Sequence, residues 1–344
     1  MSAGAAAVPF VIGQWVCGPK FYGREAEVAG LLGAGRRWPW VAGLRRIGKT
    51  SLLKQLDHLA GSDARSLPLF WDLQGVGGVE ELGLTFTDAL LDAEEILARQ
   101  GISLEEIEDG DVFAALEKLA RVLRRRGTEL LLLCDEADEL MPLSRAVPGL
   151  AARLWQAVAG FESARVVLAS SLRLCDLGTG DDGVEGLAER FEAPRYLGVM
   201  TDAEARSLLC QSRLPEASKP VFHPNDVEAI RDHCGNHPML LQIVAKRFQE
   251  IGDLQETFSQ VAADRAVQHL FAVDFELLTP AERDVLLSLE GSTSDGAVQR
   301  LLQLGLIRRD GPRGLTVPNR FLASWLHPTE SSSKPHPYLK AGRS

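Results

Sequence analysis

No stretch of this 344-residue sequence approaches the ~20 consecutive apolar residues that a membrane-crossing helix needs. The start, MSAGAAAVPF, has neither a basic segment nor a long apolar core, so it does not read as a secretion signal. These absences predict a soluble, cytoplasmic protein without membrane contact. Cysteine is scarce: Cys17, Cys134, Cys175, Cys210 and Cys234 are odd in number, and none forms a CxxC spacing. That argues against a disulfide framework and a zinc site, and favours buried free thiols. Basic residues are in deficit, 37 Lys and Arg against 47 Asp and Glu, for a net charge of −10. The excess of acid opposes non-specific attraction of the whole molecule to nucleic acid.

What is present is apolar material for a large core, 45% of the residues, over a length that suits two or three domains. Residues 1–20, with Pro9, Gly13, Gly18 and Pro19 among apolar side chains, predict an irregular N-terminal strap. Residues 21–200 alternate helical patterns with short apolar runs at 38–42, 67–73, 129–134, 165–170 and 194–197. Such runs mark buried parallel strands in a three-layer α/β fold. Between the second and third runs, helical spacing over 82–98 and 112–123 closes on Arg124, Arg125, Arg126 and Gly127, a cationic helix end and a stop. From 201 to 272 only helical periodicity remains, including one helix over 254–270, which predicts a helical lid. Residues 273–327 then give helix, helix, two short strands and helix, the order of a small winged-helix domain. Only GSTSDG separates its first two helices, which leaves no room for a middle one. Residues 328–344 are rich in Ser, Pro and Lys and read as a disordered tail.

Residues 43–50, GLRRIGKT, follow the first apolar run and open a helix. In the spacing G-x-x-x-x-G-K-[ST] the glycines let backbone N–H groups turn inward onto phosphate oxygens. Gly43 and Gly48 hold the glycine places, with Arg46, Ile47 and Ser51 in or beside the loop. Lys49 would reach the outer phosphates and the Thr50 hydroxyl would hold magnesium, while the helix presents its positive end to the anion. With glycine near 7% of residues, a chance match in a chain this long is roughly a one-in-a-hundred event. A magnesium–nucleotide site also needs a carboxylate at the end of a neighbouring buried strand, and LLLLCDE at 130–136 supplies it. Asp135 would bind the metal and Glu136 would orient or deprotonate a water. Asp138 and Glu139 read as solvated or helix-starting charges. The expected cofactors are ATP or ADP and Mg2+.

Three further features carry a likeness. Phe21-Tyr22-Gly23-Arg24-Glu25-Ala26-Glu27 has the form hhGRExE, the loop has a basic pair before its second glycine, and Gly235-Asn236-His237-Pro238 opens a later helix. With these, residues 9–270 resemble the AAA+-related P-loop ATPases (ASCE class) of the STAND group and their archaeal-type relatives, in which a helical lid and a winged helix follow the core. The resemblance implies Tyr22, Gly23 and Arg24 near the adenine and Pro238 against the nucleotide. It also implies Ser170 or Ser171 as a polar sensor beside the γ-phosphate, and Arg190 as an arginine finger with Arg173 and Arg195 as rivals.

The function that follows is a regulatory ATPase, slow in turnover, whose nucleotide state is read by an unidentified partner protein or by self-assembly. The alternative is a DNA-associated AAA+ ATPase of the origin-recognition or transposition-loader kind. There Gln299, Arg300 and Gln303 with Arg308, Arg309 and Arg313 would meet phosphates, against which stand the net charge and the shortened third unit. A P-loop kinase or GTPase fits less well, because the guanine-reading N/TKxD run is absent.

Overall fold

The computed structural model describes residues 9–33, 38–177, 184, 190–291, 295–311 and 314–328. The first eight residues of the expected strap, Arg313, and the expected tail from 329 onward lie outside them. Each apolar run becomes a strand: β1 (Trp40–Ala42), β2 (Ser66–Asp72), β3 (Glu129–Asp135), β4 (Ala164–Ser170) and β5 (Arg195–Tyr196). They form one parallel sheet in the order β2-β3-β4-β1-β5. Parallel neighbours need crossovers, and the crossing helices cover both faces. Four leucines in a row on β3 are the result. Leu130 and Leu132 pack on one face with α3 (Val79–Asp92), α5 (Val112–Arg126) and α7 (Leu150–Ala159); Leu131 and Leu133 pack on the other with α2 (Lys49–Ala60).

The remaining helices of this part are α1 (Glu25–Leu32), α4 (Glu94–Arg99), α6 (Leu140–Ala146) and α8 (Leu172–Leu177). The end of α5 is as expected: Gly127 takes a left-handed φ of 64°, and Arg126 donates to the Gln100 and Gly101 carbonyls. All five cysteines are free thiols, but only Cys134 and Cys234 are buried; Cys210 is exposed.

A purely helical segment follows: α9 (Asp202–Leu209), α10 (Pro224–Cys234), α11 (Pro238–Ile251), α12 (Leu254–Ala263) and α13 (Arg265–Leu277). The C-terminal elements are α14 (Pro280–Ser288), α15 (Gly296–Leu304), the hairpin β6 (Arg308–Asp310) and β7 (Gly314–Thr316), and α16 (Arg320–Leu326). Two expectations are corrected here. The helix expected over 254–270 is two helices, because Asp264 ends α12 and its carboxylate caps α13 through the Ala266 N–H at 2.8 Å. Helix α13 then runs unbroken through the border expected between 272 and 273.

The expected lid and winged helix also share one hydrophobic core. Leu208, Ile230, Leu241 and Val244 cluster with Leu286, Leu301, Leu322 and Trp325, and Phe10, Tyr22 and Leu44 join them. The C-terminal unit is docked on the sheet domain as well. Arg300 on α15 grips Asp176 of α8, 2.9 Å to one oxygen, and pairs with Glu282 of α14 at 2.6 Å. This guanidinium is therefore committed inside the chain rather than presented to an outside phosphate. Next to it the connector from β5 passes under α15. A Cβ on Gly198 would sit 2.3 Å from the Gln303 carbonyl oxygen, and one on Gly305 2.4 Å from the Val199 side chain. Among the described residues no helix is long and apolar enough to cross a membrane.

A methyl at Gly198 would meet backbone atoms of Gln303 and Leu304, so the clash cannot be relieved by a rotamer change. Gly198→Ala should push α15 off the connector at a cost of about 1–3 kcal/mol. Thermal unfolding should then begin several degrees lower, with faster protease cleavage around 289–296; an unchanged unfolding curve would count against the docking described.

Candidate functional site

The site is built at the carboxyl ends of β1, β3 and β4, where a parallel sheet leaves a crevice. Strand β1 stops at Ala42, and the Gly43 N–H donates to the Ser170 carbonyl at 3.2 Å, which fixes the root of the loop to β4. A Cβ on Gly43 would lie 2.9 Å from the Leu197 carbonyl oxygen and 3.1 Å from Ile47, so glycine is needed there for room. At Gly48 the reason is different: space is open, but φ is 104°. Gly48 is the N-cap of α2 and no side chain caps that helix, so its first-turn N–H groups face the loop. Ile47 is buried and packs into the core beneath α2. The Lys49 ammonium arches back over the loop and donates to the Gly43 and Leu44 carbonyls at 3.1 and 3.0 Å. Phosphate oxygens would compete for that ammonium.

On the far side of β4 from β1, Asp135 ends β3, 2% exposed. It is hydrogen bonded to the Thr50 side chain, and its Oδ1 is buried without a partner among the described residues. Burial raises its pKa, an effect opposed by Thr50 and Lys49. A hydroxyl beside an under-satisfied buried carboxylate is a fitting donor pair for magnesium, so Thr50 and Asp135 would hold the ion. Glu136 takes a left-handed φ of 50° that turns its exposed side chain out of the strand line. Partial desolvation first, then Asp135, raises its pKa as well, which suits a proton acceptor.

The two sensor candidates separate. Ser170 is fully buried; its hydroxyl accepts from Trp40 Nε1 at 2.8 Å and donates to the Ser171 carbonyl. Ser171 is half-buried and lies one residue past the end of β4, the strand between β1 and β3. Both its N–H and its hydroxyl donate to Asp138, each at 2.6 Å. Asp138 is therefore not a solvated charge: it ties the turn after Asp135 and Glu136 to the end of β4.

The remaining predicted residues divide by what they hold. Ser51 Oγ accepts from the Val16 N–H at 3.2 Å, Arg46 donates to the Gly13 carbonyl, and Gln55 accepts from the Gly18 N–H at 2.7 Å. The strap is thus laid across the loop and α2. Gly23 and Arg24 are consecutive left-handed residues, φ 73° and 65°. The Arg24 guanidinium is buried on the Gly198 and Val199 carbonyls, and the Arg24 backbone N–H donates to Glu204. Its partners are the connector, α9 and Glu27 of α1, 3.4 Å away. Tyr22 is buried with its hydroxyl unpartnered among the described residues. Pro238 is half-buried at the first turn of α11, and the preceding His237 is buried with both ring nitrogens unpartnered among the described residues, its pKa pushed down to about 4 by burial and then by Arg24.

Arg190 is not brought to the loop of its own chain. The next residue, Phe191, bridges in parallel to Trp38, at the start of the β1 line. Five residues of strand, roughly 16 Å, separate that point from Gly43. Arg195 is exposed and paired with Glu192, and Arg173 is exposed on α8.

The Asp138 to Ser171 link makes a sharp expectation: Asp138→Ala removes both bonds, and Ser171→Ala removes the one from the hydroxyl while the backbone N–H stays. A double-mutant cycle of Asp138→Ala and Ser171→Ala in urea should show a coupling energy of about 1.5–3 kcal/mol. Additive effects would mean the two residues act separately.

No family model matches the chain, and no curated protein matches it. Among solved structures it is similar to a Walker-type ATPase of Pyrococcus abyssi, at 16% identity and a TM-score of 0.64 over 89% of this chain and 96% of that one. It is also similar to the ORC2 protein of Aeropyrum pernix, described in ADPNP-ADP complexes, at 15% identity and a TM-score of 0.51 over 91% and 93%. With the parallel sheet and the loop between β1 and α2, these likenesses give the chain the fold of the P-loop NTPases.

Proposed function

We propose that the chain is an AAA+-type ATPase of the STAND kind working as a slow nucleotide switch, read by a partner protein or by self-assembly. The observation that carries this is the placement of the phosphate loop: Leu44 is part of the core shared by the helical segment and the C-terminal unit, and Arg45 is hydrogen bonded to α13. A loop so attached has a route for passing its ligand state to the rest of the chain. In this reading the loop N–H groups and Lys49 bind the phosphates, Thr50 and Asp135 hold magnesium, and Glu136 accepts a proton from the attacking water. Ser171, fixed by Asp138, senses the outer phosphate. Magnesium, when bound, neutralises charge that develops on the phosphate oxygens. Arg190 enters only as a finger offered to a neighbouring copy.

A second reading, contact with DNA, has one observation in its favour: Arg308 and Arg309 are exposed on the β6–β7 hairpin. The commitment of Arg300 to Asp176 and the net charge of −10 weigh on the other side.

Purified protein should bind Mg-ADP and Mg-ATP, and Lys49→Ala should weaken binding by roughly 100-fold, about 3 kcal/mol. Glu136→Gln should keep the affinity and lose about 10²–10⁴ in turnover. Duplex DNA should leave the rate unchanged; a DNA-stimulated rate with steep salt dependence would move the conclusion to the second reading.

A further inference from the structure

Leu44 and Arg45 follow Gly43 in the phosphate loop, yet their contacts lie outside the sheet domain. The Leu44 side chain, 2% exposed, lines a small cavity of about 30 Å³ with Phe271, Asp274, His237, Leu286 and Asn319. The Arg45 N–H donates to Asp274 Oδ1 at 3.0 Å. Asp274 sits on the buried stripe of α13, between Phe271 and Phe275, and is 8% exposed. A carboxylate there has little to offset its charge. Arg45 and Lys49 face it from the loop, His237 faces the same cavity from the start of α11, with Arg24 behind it. The lining from α14 is the apolar Leu286, and from the turn before α16 it is the amide of Asn319.

We propose that Asp274 couples phosphate binding to the packing of the C-terminal unit by taking up a proton when a nucleoside di- or triphosphate fills the loop. This rests on the nucleotide reading above. Phosphates bring negative charge to the loop and draw Lys49 onto themselves, and both effects disfavour an ionised Asp274. Burial already pushes its pKa to about 7, ahead of the opposing Arg45 N–H and Lys49. The proton comes from solvent. The protonated acid still accepts the Arg45 N–H through an oxygen, and its new O–H donor faces a cavity large enough for one water and lined by the unpartnered, neutral imidazole of His237. The latch between loop and α13 thus survives protonation, and its cost depends on what the loop holds.

The sign follows from linkage. Binding that raises a pKa takes up protons, so affinity is highest below the free-state value near 7 and falls as pH rises above it. The test is calorimetric titration of Mg-ADP into the full chain and into Asp274→Asn, in buffers of different ionisation enthalpy at about pH 8. Asparagine keeps an acceptor for Arg45 and cannot titrate, and a thermal melt confirms that the variant is folded. Wild type should take up at least about half a proton more than the variant, and lose roughly 10-fold in affinity over about two pH units above 7 while the variant stays flat. Equal proton counts and equal pH slopes would overturn the coupling and leave nucleotide binding intact. Failure of both proteins to bind Mg-ADP would overturn the nucleotide reading itself, and the coupling with it.

Discussion

The conformation of residues 43–48 is imposed from several directions at once, and the rest of the molecule is arranged around that constraint. Strand β4 holds the Gly43 N–H, the Leu197 carbonyl closes on Gly43 so that only a hydrogen fits, α13 holds the Arg45 N–H, and the strap takes the Arg46 guanidinium. Arg46 has a φ of 57°, a region that side chains other than glycine occupy at a cost of about 1–2 kcal/mol. Such a residue persists where its surroundings over-determine it. The loop is thus a property of the whole chain, although all its residues lie in one contiguous motif.

The same logic explains two guanidiniums, Arg24, which is buried, and Arg300, which is half-buried. Arg24 and Arg300 stand on either side of the connector between β5 and α9, one holding its carbonyls and the other clamping the helix that lies over it. Buried charge is retained only where it is fully paired, and both pairings join elements far apart in sequence. Since the helical segment and the C-terminal unit share one core, moving either away from the sheet domain means breaking both clamps and extracting Leu44.

Much of this could be read beforehand where the signal is local. Five apolar runs announced five strands because a strand buried on both faces has no other way to look, and the contiguous GLRRIGKT and LLLLCDE motifs put Lys49 and Thr50 at the start of α2 and Asp135 and Glu136 at the end of β3. What failed to show depends on register or on distant partners. Ser170 and Ser171 could not be told apart until Trp40 claimed the first hydroxyl. Arg190 resembled a finger in sequence, but pairing of Phe191 with Trp38 sends it to the far end of the sheet. Asp274 reads as one more acid on an amphipathic helix; only its place three residues after Phe271 and one before Phe275, on the apolar stripe, hinted at burial. The border drawn near 272 fell inside a helix because composition changes there while the backbone does not.

The strap has a mechanical consequence. Its Val11 N–H is fastened to Gln242 on α11 at 2.9 Å and its Val16 N–H to Ser51 on α2, with Phe10 stacked on Phe222 beyond the first fastening. The five residue steps from Val11 to Val16 can span at most ~18 Å when pulled straight. However the two halves of the molecule part, while both fastenings hold they do so on a leash of that length. The amplitude of any opening is written into the number of residues between two hydrogen bonds rather than into the stiffness of a hinge.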